Sequence, residues 1–296
     1  MESHADWKND FLRGNKMADI RNTNGLVLFL LYAIVAVFTI LAIYPIFWLI
    51  TMSFKTTQEF MSTSKLALPQ MWFASNYPWT WTTGRFATLI MNSVIYTSVT
   101  VVAEIILSFM AGFAFAKLPS KLTPLLHGSF IVGILLTIQS IMVPLFLLIS
   151  GVGLYDTRLG VLIIYIGIAL PMAVYLSTAY IKSIPNSILE SARIDGAKYL
   201  QIFWKIIMPM AAPVAATVAI LGVTGTWNEF MLINILVSSN ELKSLPVGIN
   251  MFSGTLSSDY GKQFSALTIG MIPMILFYVV FRKQITKGVS AGAVKG

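Results

Sequence analysis

The sequence predicts an all-α integral membrane protein with six transmembrane helices. Three observations carry that expectation. Of 296 residues, 56% are hydrophobic and only 11% are charged, with mean hydropathy +0.77, whereas soluble domains average about 25% charged residues. The apolar residues gather in runs long enough to cross ~30 Å of hydrocarbon as helix. The 20 Lys and Arg lie mainly in short segments beside those runs, as inner loops of membrane proteins require. That distribution sets aside nucleic acid as the reason for the net charge of +8. The chain has no cysteine, so disulfides and thiolate chemistry are excluded, and His4 and His127 form no metal-ligand cluster.

Residues 1–25 are polar and mixed in charge, with Lys8, Arg13, Lys16 and Arg21 against Glu2, Asp6, Asp10 and Asp19. A cleaved signal would place a short apolar region near the start. Here a retained cytoplasmic arm is expected, followed by a first span over about 26–52. Residues 53–87 read as a polar outer loop carrying Trp72, Phe73, Tyr77, Trp79 and Trp81. Such aromatics suit a membrane interface, and their faces also suit sugar rings. Further spans are expected over about 88–116 with Glu104, 125–150 with Gln139 and Pro144, and 160–181 with Pro171. The last two cover about 210–236, with Trp227, Asn228 and Glu229, and about 264–281. Proline is tolerated in spans where neighbouring helices or water satisfy the freed carbonyls, so its repetition predicts kinked helices around a cavity. A core of 88–282 and a tail of 283–296 complete the organisation.

With the N-terminus inside, the inner segments hold fourteen Lys and Arg and the outer segments six. The excess puts both termini and the segment 183–209 in the cytoplasm. That segment interrupts the apolar sequence with Glu190, Arg193, Asp195, Lys198 and Lys205. Pro185 suits a helix start, and Gly196 suits the left-handed residue that ends a helix. Ile188, Leu189 and Ala192 recur at helical spacing, as do Tyr199, Phe203 and Ile206. Two short amphipathic helices with a bend at Gly196, closed at Pro209, are therefore expected on the inner membrane face. They form either an interfacial hairpin without a partner or a docking element.

The spacing of this segment resembles the loop that marks permease subunits of bacterial ABC importers. There the pattern runs Glu-Ala-Ala, three residues, Gly, nine residues, Ile, one residue, hydrophobic-Pro. Here it reads Glu190-Ser191-Ala192, Asp195-Gly196-Ala197, Ile206 and Met208-Pro209, with Ser191 departing from the usual Ala. The end of the chain, Lys287 to Gly296, resembles the tail of carbohydrate-importer permeases, in particular the smaller maltose-type subunit. The resemblance covers residues 26–296 and implies a type I importer permease fold. It also implies a second permease subunit, two ATP-binding subunits, an extracytoplasmic solute-binding protein and a sugar substrate. ATP and Mg would be bound by the partners, with no cofactor on this chain. Glu190, Ser191, Ala192, Asp195, Gly196 and Ala197 would couple to the ATPases, Ala192 and Gly196 by close backbone approach. Asp195 has the alternative of capping the second short helix. Ser290, Ala291, Gly292 and Lys295 would lie at the ATPase junction.

The residues themselves supply no energy source. A phosphate loop needs Gly-x4-Gly-Lys-Ser/Thr, and Gly261-Lys262 is followed by Gln263 with Leu256 in the first glycine's place. Charge inside spans is costly and usually functional, so Glu104 and Glu229 are singled out. Glu104 falls near mid-bilayer and must be protonated, reach water, or bond to a group such as Gln139 or Asn228. Glu229 lies twenty residues past Pro209, roughly 30 Å along a continuous helix, and Trp227-Asn228-Glu229 resembles a segment near the outer end of sugar pathways. Helix–helix hydrogen bonding is the alternative for both. A second functional reading is a proton-coupled secondary transporter using Glu104 and Glu229. Against it, no repeat is evident among the spans, and such folds are usually built from repeats. The outer loop Ser238–Gln263 is longer than a plain connection, and by resemblance Met251 and Phe252 would meet the binding protein. Otherwise the loop folds back as a lid.

Overall fold

A computed structural model of the chain describes residues 25–118, 120–252 and 259–293, with side chains as far as Gln284. All regular structure among the described residues is helical. The chain divides into two units, residues 1–51 and 52–296.

The first unit is represented by α1, Gly25–Met52, which contains no charged residue and carries Pro45 inside it. Phe29, Tyr32, Phe38 and Ile40 stand exposed around its circumference. A helix apolar on every side is stable only within lipid or against other apolar surface. The N-terminal arm, residues 1–24, lies outside the described residues.

The second unit opens with a segment that is more than a connection. It forms α2, Thr57–Ser62, and α3, Asn76–Thr83. Thr56 caps α2 by accepting from the Glu59 amide at 3.2 Å, an N-cap worth about 1 kcal/mol. Buried Asn76 donates through Nδ2 to the carbonyls of Ser53 at 2.8 Å and Lys55 at 3.0 Å. Phe54 packs between the rings of Trp72 and Tyr77, at 5.2 Å from each. The aromatics of this loop thus build a folded platform. Thr80 and Ser265 share a hydrogen bond of 2.7 Å, which ties the platform to the last helix.

The core is built on α4, Phe86–Lys117. Beyond it come α5, Thr123–Leu135, α6, Ile138–Gly151, and α7, Arg158–Ser183. The contact between α4 and α7 is the most extensive among the described residues. It is close because the residues there are small. A Cβ on Gly112 would collide with the Ser177 side chain and the Thr178 backbone, and Ser177 Oγ donates to the Ser108 carbonyl at 2.8 Å. Small residues let helix backbones approach where lipid offers no hydrophobic drive.

The segment 183–209 contributes α8, Asn186–Ile194, α9, Tyr199–Ile202, a π-helical turn over Phe203–Ile207, and α10, Met208–Met210. There follow α11, Ala212–Trp227, α12, Met231–Leu236, α13, Leu245–Asn250, and α14, Tyr260–Ala293. Helices α1, α4, α7 and α14 are individually long and apolar enough to cross a membrane, and the number rises to six if each bent pair is one span.

Two expected spans differ from unbroken helices. The third is bent by 111° between α5 and α6, because Leu136 and Thr137 leave the helix for extended backbone. The fifth does not run from 210 to 236. The chain bends by 77° at Ala211, and α11 stops at Trp227. The stop has a local cause. The Glu229 carboxylate accepts from the Leu232 amide at 2.7 Å and the Ile233 amide at 3.1 Å, which starts a new helix at Met231. Glu229 therefore sits at a break and not 30 Å along a continuous helix.

Gly112→Val should force α4 and α7 apart. Overpacking of this kind costs about 1–3 kcal/mol, and thermal unfolding in detergent should show a lower midpoint, with Gly112→Ala intermediate.

Candidate functional site

The hairpin 183–209 is closed by a specific end structure. At the end of α8 the Gly196 amide donates to the Arg193 carbonyl at 3.0 Å, and the Ala197 amide donates to the Ala192 carbonyl at 2.9 Å. These paired bonds are a Schellman motif, which needs a left-handed residue after the helix. Gly196 supplies it at φ +83°. The second helix is started by Lys198, whose amide donates to Gln201 Oε1 at 2.8 Å. Asp195 ends the first helix instead of capping the second.

Amphipathic spacing decides which face is buried. Leu189, Ala192, Ile202, Phe203 and Ile207 join Phe109, Phe113, Ile181 and Ile184 in one core cluster. Ala192 thus serves the hairpin's own packing on α4 and α7. Glu190, Ser191, Arg193, Asp195 and Gly196 point outward, and Ala197 is half-buried. Ile194 is 86% exposed at the tip. Asp195, Gly196, Ala197, Gln201, Lys205 and Ile206 line a cleft of about 300 Å³. The hairpin is a rigid element that presents charged, apolar and backbone groups together. The tail residues Ser290, Ala291 and Gly292 fall on the end of α14, where side chains are not described, and Lys295 lies outside the described residues.

A second cavity, of about 210 Å³, opens between α4, α7 and α11. Glu104, Tyr165, Thr226 and Glu229 supply its polar groups, against an apolar lining that includes Ile168, Met172, Val218 and Leu221. Glu229 accepts from the Tyr165 hydroxyl at 2.7 Å, besides the two amides of α12. Glu104 is 4% exposed, and its Oε2 has no protein hydrogen-bond partner. That oxygen lies against Gly222, where any Cβ would collide with it. The sequence left Gln139 and Asn228 open as partners of Glu104. Neither takes that part, since Gln139 Nε2 approaches Met231 Sδ at 3.9 Å and Asn228 Nδ2 donates to the Thr224 carbonyl at 2.8 Å. Trp227 is buried, packing with Phe86, Leu89 and Leu245. Of the five pathway candidates, the structure brings Glu104 and Glu229 to one cavity. Tyr165 is the member that sequence reasoning missed. Among the described residues, no cluster of three or more His, Cys, Asp and Glu could hold a metal.

The loop Ser238–Gln263 is pinned before it reaches its tip. Asp156, at φ +56°, accepts from the amides of Ser238 and Ser239, at 3.0 and 2.9 Å, and from the Ser239 hydroxyl. Those hydrogen bonds, led by the Ser239 hydroxyl, hold its carboxyl below the ordinary value of 3.8. Asn92 Nδ2 donates to the carbonyls of Glu241 and Lys243, at 2.7 and 2.9 Å, and Tyr96 donates to Leu242 at 2.8 Å. Arg158 in turn donates to Asn92 Oδ1 at 3.0 Å. Met251 is exposed. Phe252 turns inward, its ring centroid 6.0 Å from that of Trp79 and 5.9 Å from that of Phe86. Residues 253–258 lie outside the described residues.

Residues 104–290 match the family model for the binding-protein-dependent transport system inner membrane component. The chain belongs to this family. A putative ABC transporter permease protein from Caldicellulosiruptor is 34% identical over 90% of the chain and 96% of its own length. The trehalose transport system permease protein of Mycobacterium tuberculosis is 32% identical over 86% of the chain and 93% of its own length. Among solved structures, a bacterial ABC transporter involved in import of the acidic polysaccharide alginate contains a similar chain. It has TM-score 0.76 and 25% identity, covering 88% of this chain and 97% of that one. The protein is a multi-pass, membrane-embedded permease subunit of a binding-protein-dependent ABC importer, with the type I permease fold. Family membership implies a second permease, ATPase subunits and a solute-binding protein as its partners. None of these relatives supports the proton-driven alternative.

Glu229→Ala should remove the cap of α12 and lower stability by about 0.5–2 kcal/mol. Glu229→Gln, which keeps an acceptor, should lose less, both read as midpoint shifts in thermal unfolding. Asp156 yields a pH prediction. Its folded pKa lies below the unfolded value, so its contribution is present above about pH 4 and is lost as pH falls through the depressed folded value. Hydrogen exchange at the Ser238 and Ser239 amides should therefore quicken below pH 4, and Asp156→Asn should quicken it already at neutral pH.

Proposed function

We propose that this permease carries a sugar or oligosaccharide into the cytoplasm by alternating access, driven through the hairpin 183–209. The observation that carries the reading is the hairpin itself. Its inner face is packed into the core, while Glu190, Ser191 and Asp195 stand outward beside the Schellman bend at Gly196. A rigid, half-buried element with an exposed polar tip suits transmission of a push from a docked ATPase. Two ATP-binding subunits holding ATP and Mg would close beneath the membrane. The paired permeases would then rock between inward- and outward-facing states. The excess of Lys and Arg in the inner segments supports cytoplasmic placement of the hairpin and of both termini in a bacterial inner membrane.

The sugar assignment rests on the relatives. Besides the trehalose permease, they include a diacetylchitobiose uptake permease of Streptomyces coelicolor, 30% identical over 88% of this chain. The cavity between Glu104 and Glu229 is the proposed pathway surface. Glu104, whose Oε2 has no partner within the protein, offers a hydrogen bond to a sugar hydroxyl on an otherwise apolar wall. The tail residues Ser290, Ala291, Gly292 and Lys295 are assigned to the ATPase junction, and Met251 on the outer loop to the binding protein.

The test uses the whole complex in proteoliposomes, with ATP inside and labelled disaccharides presented on the binding protein outside. Gly196→Val places a β-branched residue in a left-handed conformation, at a cost of at least about 1–2 kcal/mol. ATP-linked uptake should fall roughly tenfold. Uptake at the native rate in assembled Gly196→Val complexes would sink the coupling role of the hairpin.

A further inference from the structure

Lys117 is the last residue of α4 and stands apart from the exposed docking face of the hairpin. Its Nζ donates to the Ile184 carbonyl at 2.5 Å and to Asn186 Oδ1 at 2.8 Å. Ile184 ends α7, and Asn186 opens α8. One ammonium therefore joins the ends of three helices. The geometry is chemically apt. The terminal carbonyls of α7 lack intrahelical donors, and a cation at a helix C-terminus is favoured by the helix dipole. Hydrogen bonds from a charged donor are also the strong ones. The other end of the hairpin has a weaker counterpart, the Tyr180 hydroxyl donating to the Met210 carbonyl at 2.9 Å.

The position matters because α8 meets α7 through only Ile184 and Pro185. Without a polar tie, the apolar face of α8, through Leu189 and Ala192, could roll on its greasy support, since apolar contact is not directional. A hydrogen bond to Asn186 at the first turn of α8 fixes the helix's rotation about its own axis. A bond to Ile184 fixes where that axis leaves α7.

We propose that Lys117 is a positioning residue for energy coupling. It locks the hairpin to the inner ends of α4 and α7, so that a push on the hairpin moves the transmembrane helices instead of bending the joint. The rival account is that Lys117 is only an inner-face charge that orients the chain in the membrane. The two differ in what they control. A joint sets transport per ATP hydrolysed, whereas a topological charge sets how much protein is correctly inserted.

The proposal rests on the coupling role of the hairpin, and the experiment separates the two. In the full complex in proteoliposomes, sugar uptake per ATP hydrolysed is measured for Lys117→Met, Lys117→Arg, Asn186→Leu and Gly196→Val, each normalised to assembled complex. Loss of a charge-assisted bond should lower uptake per ATP roughly tenfold in Lys117→Met. Lys117→Arg should restore most of it. Asn186→Leu, which keeps the cation and removes one acceptor, should lower it by about threefold, and it carries the test if Lys117→Met does not assemble. A native ratio in both Lys117→Met and Asn186→Leu while Gly196→Val is uncoupled overturns the joint alone. A native ratio in Gly196→Val overturns the hairpin reading and the joint with it. Reduced insertion of Lys117→Met, with uptake per ATP unchanged, assigns Lys117 to topology and also overturns the proposal.

Discussion

The close crossing of α4 and α7 is the interaction on which the rest of the second unit depends. Gly112 and Ser177 bring the two backbones together, and the Ser177–Ser108 hydrogen bond fixes their register. Because that pair is rigid, whatever is attached to its two ends moves with it. At one end Asn92, Ser93 and Tyr96 of α4 bond to the backbone of 241–245, and Arg158 of α7 braces Asn92. At the other end Phe109 and Phe113 of α4 and Ile181 of α7 form the floor under the hairpin. Packed interiors are dense and transmit displacement instead of absorbing it. The pair is thus built as a strut between the segment 241–245 and the hairpin 183–209.

The breaks in the helices follow from the same constraint that makes the fold helical. In hydrocarbon every backbone N–H and C=O needs an internal partner, and non-helical backbone survives only inside protein or beside a cavity. The turn at Asn228–Phe230 meets this condition. Glu229 takes the first amides of α12 and is itself held by Tyr165, and the cavity lies beside it. A carboxylate doing the work of a helix cap has no remaining need of a lysine or arginine partner. That is how an acidic residue persists in an apolar stretch without an ion pair. Glu104 is a different case, since it is buried against Gly222 with one oxygen unpartnered by protein. The two acids share a cavity and have different surroundings, one saturated by its fold and the other with an oxygen that no protein group engages.

Much of this was legible in the sequence wherever the determining forces act over short range. The four long spans follow from hydropathy, and the hairpin follows from the period of Leu189, Ala192, Phe203 and Ile206 with Gly196 at the turn. What was not legible depends on distant partners. The loop 53–87 looked like a polar connection because Asn76, Thr80 and Phe54 gain their roles only against Ser53, Lys55, Ser265 and Tyr77. Asp156 looked like any turn residue, since its partners Ser238 and Ser239 are more than eighty positions away. The end of α11 was missed for a related reason. Trp227 to Leu236 is apolar enough to continue a span, and only the reach of Glu229 to the two amides three and four residues on, a local competition with the helix, starts a new one. Tyr165 had no mark in the sequence at all, because a tyrosine in a span is unremarked until an acid is found opposite it.

The hairpin's construction also limits where motion can occur during transport. Its inner face is continuous with the core cluster, its bend is closed by two backbone bonds, and its second helix runs through a π-helical turn into Pro209 and the 77° bend at Ala211. Rigid closure at Gly196 leaves little freedom within the hairpin, so a displacement there must be passed on through its two junctions. One junction, at Ile184–Pro185, is braced by a cation. The other, at Ala211, carries a sharp change of direction, and π-turns commonly mark functional strain in helices. A cation bridging to Ile184 and Asn186 on one side, and a bend with a single tyrosine bond on the other, make the hairpin's two attachments unequal. Helices α7 and α11 are two walls of the cavity, so under the proposed push unequal attachment would move the two walls unequally. A hairpin anchored equally to both would only translate them together.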